Sequence, residues 1–298
     1  MSAPVRRPRL LAAGVLLALG LLAPVQAATG PGADAATSDA CGAVLTKPDG
    51  TPWTCSFVDD FDGSGLDPTK WITQQTSLTG FRSGLTCFTT SDKNIKVFKG
   101  ELSLTARMER GKFLCKSPTG DFTTTYTGGM IGTRTRFSQA YGRFEVRAKY
   151  PNVATAGVHG GFWLYPLTNT YGAWPASGEI DVAEWFSNDP TLVLPSLHYD
   201  GRDASLDSGW GCRVADPWNY HTYTLDWEPT GISVAIDGTT CFSRVADPDS
   251  PLVWPQPFDK PFSMILNMGV GPTSGSNAVS SATPLPATYV VDYAKAWR

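Results

Sequence analysis

Charge is scarce in this chain. Asp, Glu, Lys and Arg make up 17% of its 298 residues, against roughly 25% in ordinary globular proteins. No block of basic residues occurs, so nothing is available to neutralise a phosphate backbone, and nucleic acid is excluded as a partner. C-x-x-C and H-E-x-x-H are both missing, which excludes the common zinc sites. No Gly-x-Ser-x-Gly elbow occurs, which argues against a serine hydrolase. Internal repeats are absent, and 30 Gly with 23 Pro rule out a long coiled coil. Ten Trp, ten Tyr and fourteen Phe are far too much aromatic surface for a disordered chain.

The single long apolar run, Leu10 to Val25, follows Arg6, Arg7 and Arg9 and precedes the small-x-small triplet Val25-Gln26-Ala27. Residues 1–27 are therefore expected to be a secretory signal peptide. The competing reading, a membrane anchor, is weakened by Gly14, Gly20 and Pro24 and by the lack of a basic stop-transfer cluster. Residues 28–40, ATGPGADAATSDA, read as a flexible leader, and 41–298 as one domain. Without residues 1–27, 21 basic and 27 acidic residues remain, a net charge of −6, and neutral ligands fit that balance. A secreted monomer is expected, with no membrane contact once the signal is cut. Six cysteines, Cys41, Cys55, Cys87, Cys115, Cys212 and Cys241, suggest disulfides in an exported chain. Fifteen pairings are open; pairing neighbours in sequence clips one loop or hairpin each, and is favoured.

Periodicity is that of strands. Leu102, Leu104 and Ala106 alternate with Glu101, Ser103 and Thr105; Phe144, Val146 and Ala148 alternate with Arg143, Glu145, Arg147 and Lys149. Tyr223, Leu225 and Trp227, then Ile232, Val234 and Ile236, keep the same two-residue period, and Lys99-Gly100, Thr230-Gly231 and Asp237-Gly238 supply turns. Amphipathic helices are lacking, so the fold is expected to be all-β, a sandwich or barrel.

Gly178-Glu179-Ile180-Asp181-Val182-Ala183-Glu184-Trp185 is the most informative segment. In a regular strand Glu179 and Asp181 share a face while Glu184 falls on the other. One inserted residue at Val182-Ala183, a β-bulge, would bring Glu184 back. Glu179 and Glu184 would then stand roughly 13 Å apart at Cα. Long side chains on a concave sheet can close that to the roughly 5–5.5 Å of a retaining glycosidase pair. One carboxylate would attack the anomeric carbon and the other would protonate the leaving oxygen, its pKa raised by the ionised nucleophile. Asp181 would orient or tune Glu179. A solvated acidic edge strand is the plain alternative, and a calcium loop is disfavoured because the glycine turn is missing.

Here the sequence resembles glycoside hydrolase family 16, in its bulged E-x-D-x-x-E branch, and is similar to exported actinobacterial laminarinase-like β-1,3-glucanases. The resemblance runs in family order from Phe57-Val58-Asp59-Asp60-Phe61-Asp62-Gly63 and Leu66 to Trp71 through Asn94 to Arg107 and Tyr141 to Lys149. It continues with Gly161-Phe162-Trp163-Leu164, Trp174-Pro175, His221 to Trp227, Ile236-Asp237-Gly238, Leu266 to Gly271 and Val291-Asp292-Tyr293. It implies a jelly-roll β-sandwich of two curved antiparallel sheets with the substrate cleft on the concave face. It also implies Glu179 as nucleophile, Asp181 as assisting acid and Glu184 as acid/base. The chain departs from the laminarinase pattern at Ala183, where methionine is common, and at Trp185-Phe186. Asp292 resembles the position of one structural calcium ion in some members; no cofactor is implied for catalysis.

Flat aromatic rings bind the apolar faces of sugars. Trp163, Trp174 and Trp185 are the candidates, with Trp163 and Trp174 at family positions facing the cleft. Trp71, Trp227 and Trp297 are assigned to the core. His198, next to the carboxylates, is expected to bond Glu184 or Asp181; Asn267 is expected to reach substrate hydroxyls. His159 is placed in a glycine-rich loop. The leading reading is a retaining endo-hydrolase of β-1,3-glucan, with a polysaccharide as its one partner. Two others stay open: the same chemistry on mixed-linkage glucan, galactan, agar or carrageenan, and a sandwich that binds carbohydrate without cutting it.

Overall fold

The computed structural model describes residues 38–298. The expected signal peptide, and the leader as far as residue 37, lie outside the described residues. Strands β1 (Ser38–Asp39) and β2 (Gly42–Ala43) pair with each other, so the last residues assigned to the leader already belong to the folded unit. Then come β3 (Cys55–Asp59), β4 (Ile72–Thr73), a single helical turn α1 (Thr76–Thr79), β5 (Thr86–Phe88), β6 (Ile95–Phe98), β7 (Glu101–Cys115) and β8 (Phe122–Gly132). The second half holds β9 (Gly142–Lys149), β10 (Val158–Pro166), β11 (Glu179–Phe186), β12 (Val193–His198), β13 (His221–Glu228), β14 (Gly231–Ile236), β15 (Thr239–Arg244), β16 (Phe262–Val270) and β17 (Ala287–Trp297). Among the described residues no helix is long and apolar enough to cross a membrane.

The main sheet runs β12-β11-β10-β16-β8-β7-β17-β9-β13-β14-β15. Its two halves are the two sheets expected of a jelly roll. They are hydrogen-bonded into one because the long strands β7 and β8 pair with each other as well as with their neighbours. Pairing is antiparallel except between β5 and β8. Alternation explains the layers: β9 buries Phe144, Val146 and Ala148 and turns Arg143, Glu145, Arg147 and Lys149 outward. The opposing half contributes Phe162, Leu164, Ile180, Val182, Trp185 and Leu197 to the same core. Trp71, Trp227 and Trp297 are buried as expected.

Three disulfides close neighbouring cysteines: Cys41–Cys55, Cys87–Cys115 and Cys212–Cys241. The carboxylate of Asp292, likened above to a calcium position, pairs with the guanidinium of Arg147. The one cluster of acidic and sulfur ligands among the described residues, Asp39 with Cys41 and Cys55, has both sulfurs in a disulfide.

Candidate active site

Strand β11 carries the three carboxylates, and its register breaks where the sequence requires it. Asp181 pairs with Ser196 and Glu184 with Leu194, three steps on β11 against two on β12. On the other side Trp163 pairs with Asp181 and Phe162 with Ala183. One extra residue is therefore accommodated, a β-bulge. Val182 and Ala183 both turn into the core, 1% and 0% exposed. Glu184 comes back to the cleft with Glu179 and Asp181, and all three line one cavity.

The bulge is held from the core side. Tyr150 Oη donates to the Ala183 carbonyl at 2.6 Å. The Tyr150 ring lies between Trp185 and Tyr289, with centroids 5.1 and 4.7 Å away. Across the ladder stands Gly161, where a Cβ would sit 3.0 Å from the Ala183 oxygen. A side chain there would press on the bulge.

Each carboxylate has its own partner. Trp174 Nε1 donates to Glu179 Oε2 at 2.6 Å, although the indole is 55% exposed. His198 Nε2 is 2.9 Å from Asp181 Oδ2. His159 Nε2 is 3.0 Å from Glu184 Oε1, and its Nδ1 is 2.8 Å from Ser83 Oγ. A hydroxyl can give or take a hydrogen bond, so Ser83 suits either tautomer of His159.

Burial first, then the adjacent Asp181 charge, pushes the Glu179 carboxyl up to about 8, opposed by His198 and the Trp174 N–H. Burial and then Glu184 raise Asp181 well above the usual carboxylate range. Burial lowers His198, against the pull of Glu179.

Trp163 and Asn267 reach the same cavity, and the Trp163 indole N–H donates to Asn267 Oδ1 at 2.8 Å. That bond uses the carbonyl end of the amide and leaves its NH2 group for a ligand. Trp163 packs against Phe81, centroids 5.2 Å apart. The two rings wall both this cavity and a larger one of about 670 Å³ that carries Tyr165 and Arg134. Trp185 corrects the expectation. It is fully buried and its Nε1 donates to the Pro190 carbonyl. The same bulge that returns Glu184 to the cleft sends the next residue into the core. His159 is the second correction: it lies on β10, not in a loop. Its signal was present, because His159, Gly161 and Trp163 alternate along the strand already recognised at Trp163. Ser83, Phe81 and Tyr150 had no such signal; distant segments bring them in.

Residues 83–295 match the profile of Glycosyl hydrolases family 16. A beta-glucanase of Rhodothermus marinus is 31% identical over 260 residues, covering 83% of this chain and 85% of that protein. The glucan endo-1,3-beta-glucosidase A1 of Niallia circulans is 30% identical over 262 residues, 81% of this chain. The match spans only 37% of that longer protein. The crystal structure of the laminarinase from Rhodothermus marinus superposes with a TM-score of 0.68 at 31% identity, covering 83% of this chain and 97% of that one.

Proposed function

The chain belongs to glycosyl hydrolase family 16 and is a glycoside hydrolase; from that premise we propose that it cuts β-1,3-linked glucan internally, with retention of configuration. The observation that carries the proposal is the bulge in β11, which gathers Glu179, Asp181 and Glu184 into one aromatic-walled cavity. The names of the relatives, glucan endo-1,3-beta-glucosidase, beta-glucanase and laminarinase, support β-glucan as the polymer.

In this reading Glu179 attacks the anomeric carbon while Glu184 gives its proton to the departing glycosidic oxygen. The aglycone leaves and a glycosyl ester forms on Glu179. Glu184 then takes a proton from water, and the resulting attack at the same carbon releases the sugar, returning Glu179 to its carboxylate and Glu184 to its acid form. Glu179 has to be ionised to attack. The Trp174 N–H donates to its carboxylate and favours the anion. His159 meets Glu184 in both of its states. Its Nε2 accepts from the acid, and in the other tautomer donates to the carboxylate while Ser83 donates to Nδ1. No step calls for a metal. We further propose that the protein is exported and acts as a monomer. The signal-like residues 1–27 and three disulfides support export.

Release of reducing ends from laminarin tests the activity, and proton NMR of the first product tests the stereochemistry. The β-anomer is expected first. Glu179→Gln and Glu184→Gln should each lower turnover by about a thousandfold or more while the fold survives. An initial α-product would overturn retention. Purified protein that binds laminarin and cuts no polysaccharide would make it a binding module.

A further inference from the structure

A second cavity, of about 430 Å³, lies beyond Glu184 along the same face of the sheet. Phe186, Leu192, Leu194 and Trp210 form its apolar wall, and the loop from Pro272 to Asn277 closes the other side. It adjoins the carboxylate site directly. Leu194 pairs with Glu184 across the ladder. The Phe186 ring stacks on His159, centroids 4.7 Å apart, and His159 touches Glu184. The carboxylates thus stand between two cavities, this one past Glu184 and the larger one past Trp163 and Phe81.

Trp210 is 54% exposed yet fixed in place. Its Nε1 donates to the Ala204 carbonyl at 2.9 Å, which leaves the ring faces unengaged by that bond. Two residues later Cys212 ties the loop to Cys241. The lining offers no free charge. Asp189 is held by both terminal nitrogens of Arg213 at 2.9 Å. Asn277 is spent on Gly157, Val158 and Ser187. Asn188, Ser274 and Ser276 supply neutral polar groups. A flat indole beside aliphatic carbon and uncharged amides and hydroxyls matches a plain sugar ring, with its apolar C–H face and neutral hydroxyls. A sulfate or carboxylate would enter this apolar wall with no cation to meet it.

We propose that this cavity holds the leaving-group half of the polymer and accepts only uncharged sugar units, with Trp210 as its stacking platform. The inference rests on Glu184 being the proton donor of the proposed reaction, because the donor faces the departing side.

The test compares two substrates in wild type and Trp210→Ala. One is laminarin. The other is a 4-nitrophenyl glycoside of a β-1,3-linked glucobiose, whose aryl group replaces the sugars that would fill the cavity. The loss of kcat/KM on laminarin should exceed the loss on the aryl glycoside by up to about tenfold, and Trp210→Tyr should recover most of it. Digestion of partly carboxymethylated laminarin should yield fragments whose first units at the new non-reducing end are unsubstituted. Equal losses on both substrates, or carboxymethyl groups at those ends as often as in the starting polymer, would overturn the inference and leave the hydrolase intact. Wild-type protein inert toward both substrates would instead sink the proposed function, and this inference with it.

Discussion

Glu179→Gln should stabilise the protein, and only above a defined pH. The Glu179 carboxyl is held up to about 8, from 4.5 in a free chain. Below pH 4.5 the group is protonated in both folded and unfolded states and costs nothing. Between 4.5 and 8 the unfolded chain releases the proton first, so each step up in pH favours unfolding. Above about 8 both states are ionised and the penalty is constant. A rise of that size corresponds to a ceiling of about 5 kcal/mol. Glu179 faces an open cleft, and solvent screening cuts the figure to about 2 kcal/mol. Glutamine keeps the shape and still accepts from the Trp174 N–H, so it removes the charge alone. The variant should match wild type at pH 4.5 and exceed it by about 2 kcal/mol at pH 8, about 4–8 °C in Tm for a domain of this size. Denaturant unfolding followed by tryptophan fluorescence, without reductant, measures the gap at both pH values. A gap that is the same at both, or a variant weaker than wild type at pH 8, would refute the argument that burial and Asp181 disfavour this charge.

His159→Asn should reduce kcat on laminarin by about tenfold or more with little change in KM. The loss should shrink on a dinitrophenyl glycoside, whose leaving group needs no proton; equal losses would deny His159 its link to Glu184. Tyr150→Phe removes the donor to the Ala183 carbonyl and should cost about 1–3 kcal/mol in unfolding experiments. A larger fall in kcat is expected for that variant than for a Phe substitution at Tyr223, which has no hydrogen-bond partner. Replacing Cys212 and Cys241 by Ser opens a closure with a sequence separation of 29. It should lower stability by about 2–4 kcal/mol; unchanged unfolding would mean that the loop is held by its other contacts.

Much of the fold was legible because a strand writes its burial into alternate residues. β9 displays that pattern without interruption, and its buried-versus-exposed order follows from it directly; β13 keeps it at Tyr223, Leu225 and Trp227 but also buries Thr224 between them. The disulfide partners were legible because each pair closes a short local segment. The joining of two sheets through β7 and β8 was not legible, since local alternation says nothing about which strand pairs with which.

At the carboxylate cluster the two kinds of information divide sharply. Local spacing alone determined that a regular strand leaves Glu184 on the face opposite Glu179, so that the two can share a cleft only across a bulge. Only the tertiary structure decided what that bulge displaces and what supports it. The bulge buries Trp185, which composition had marked as a sugar platform, and it rests on Tyr150 from another part of the chain. His159 and Ser83, 76 positions apart, meet only after the sheet has curled. Backbone periodicity is encoded residue by residue, whereas the partner of a side chain depends on where distant strands come to lie.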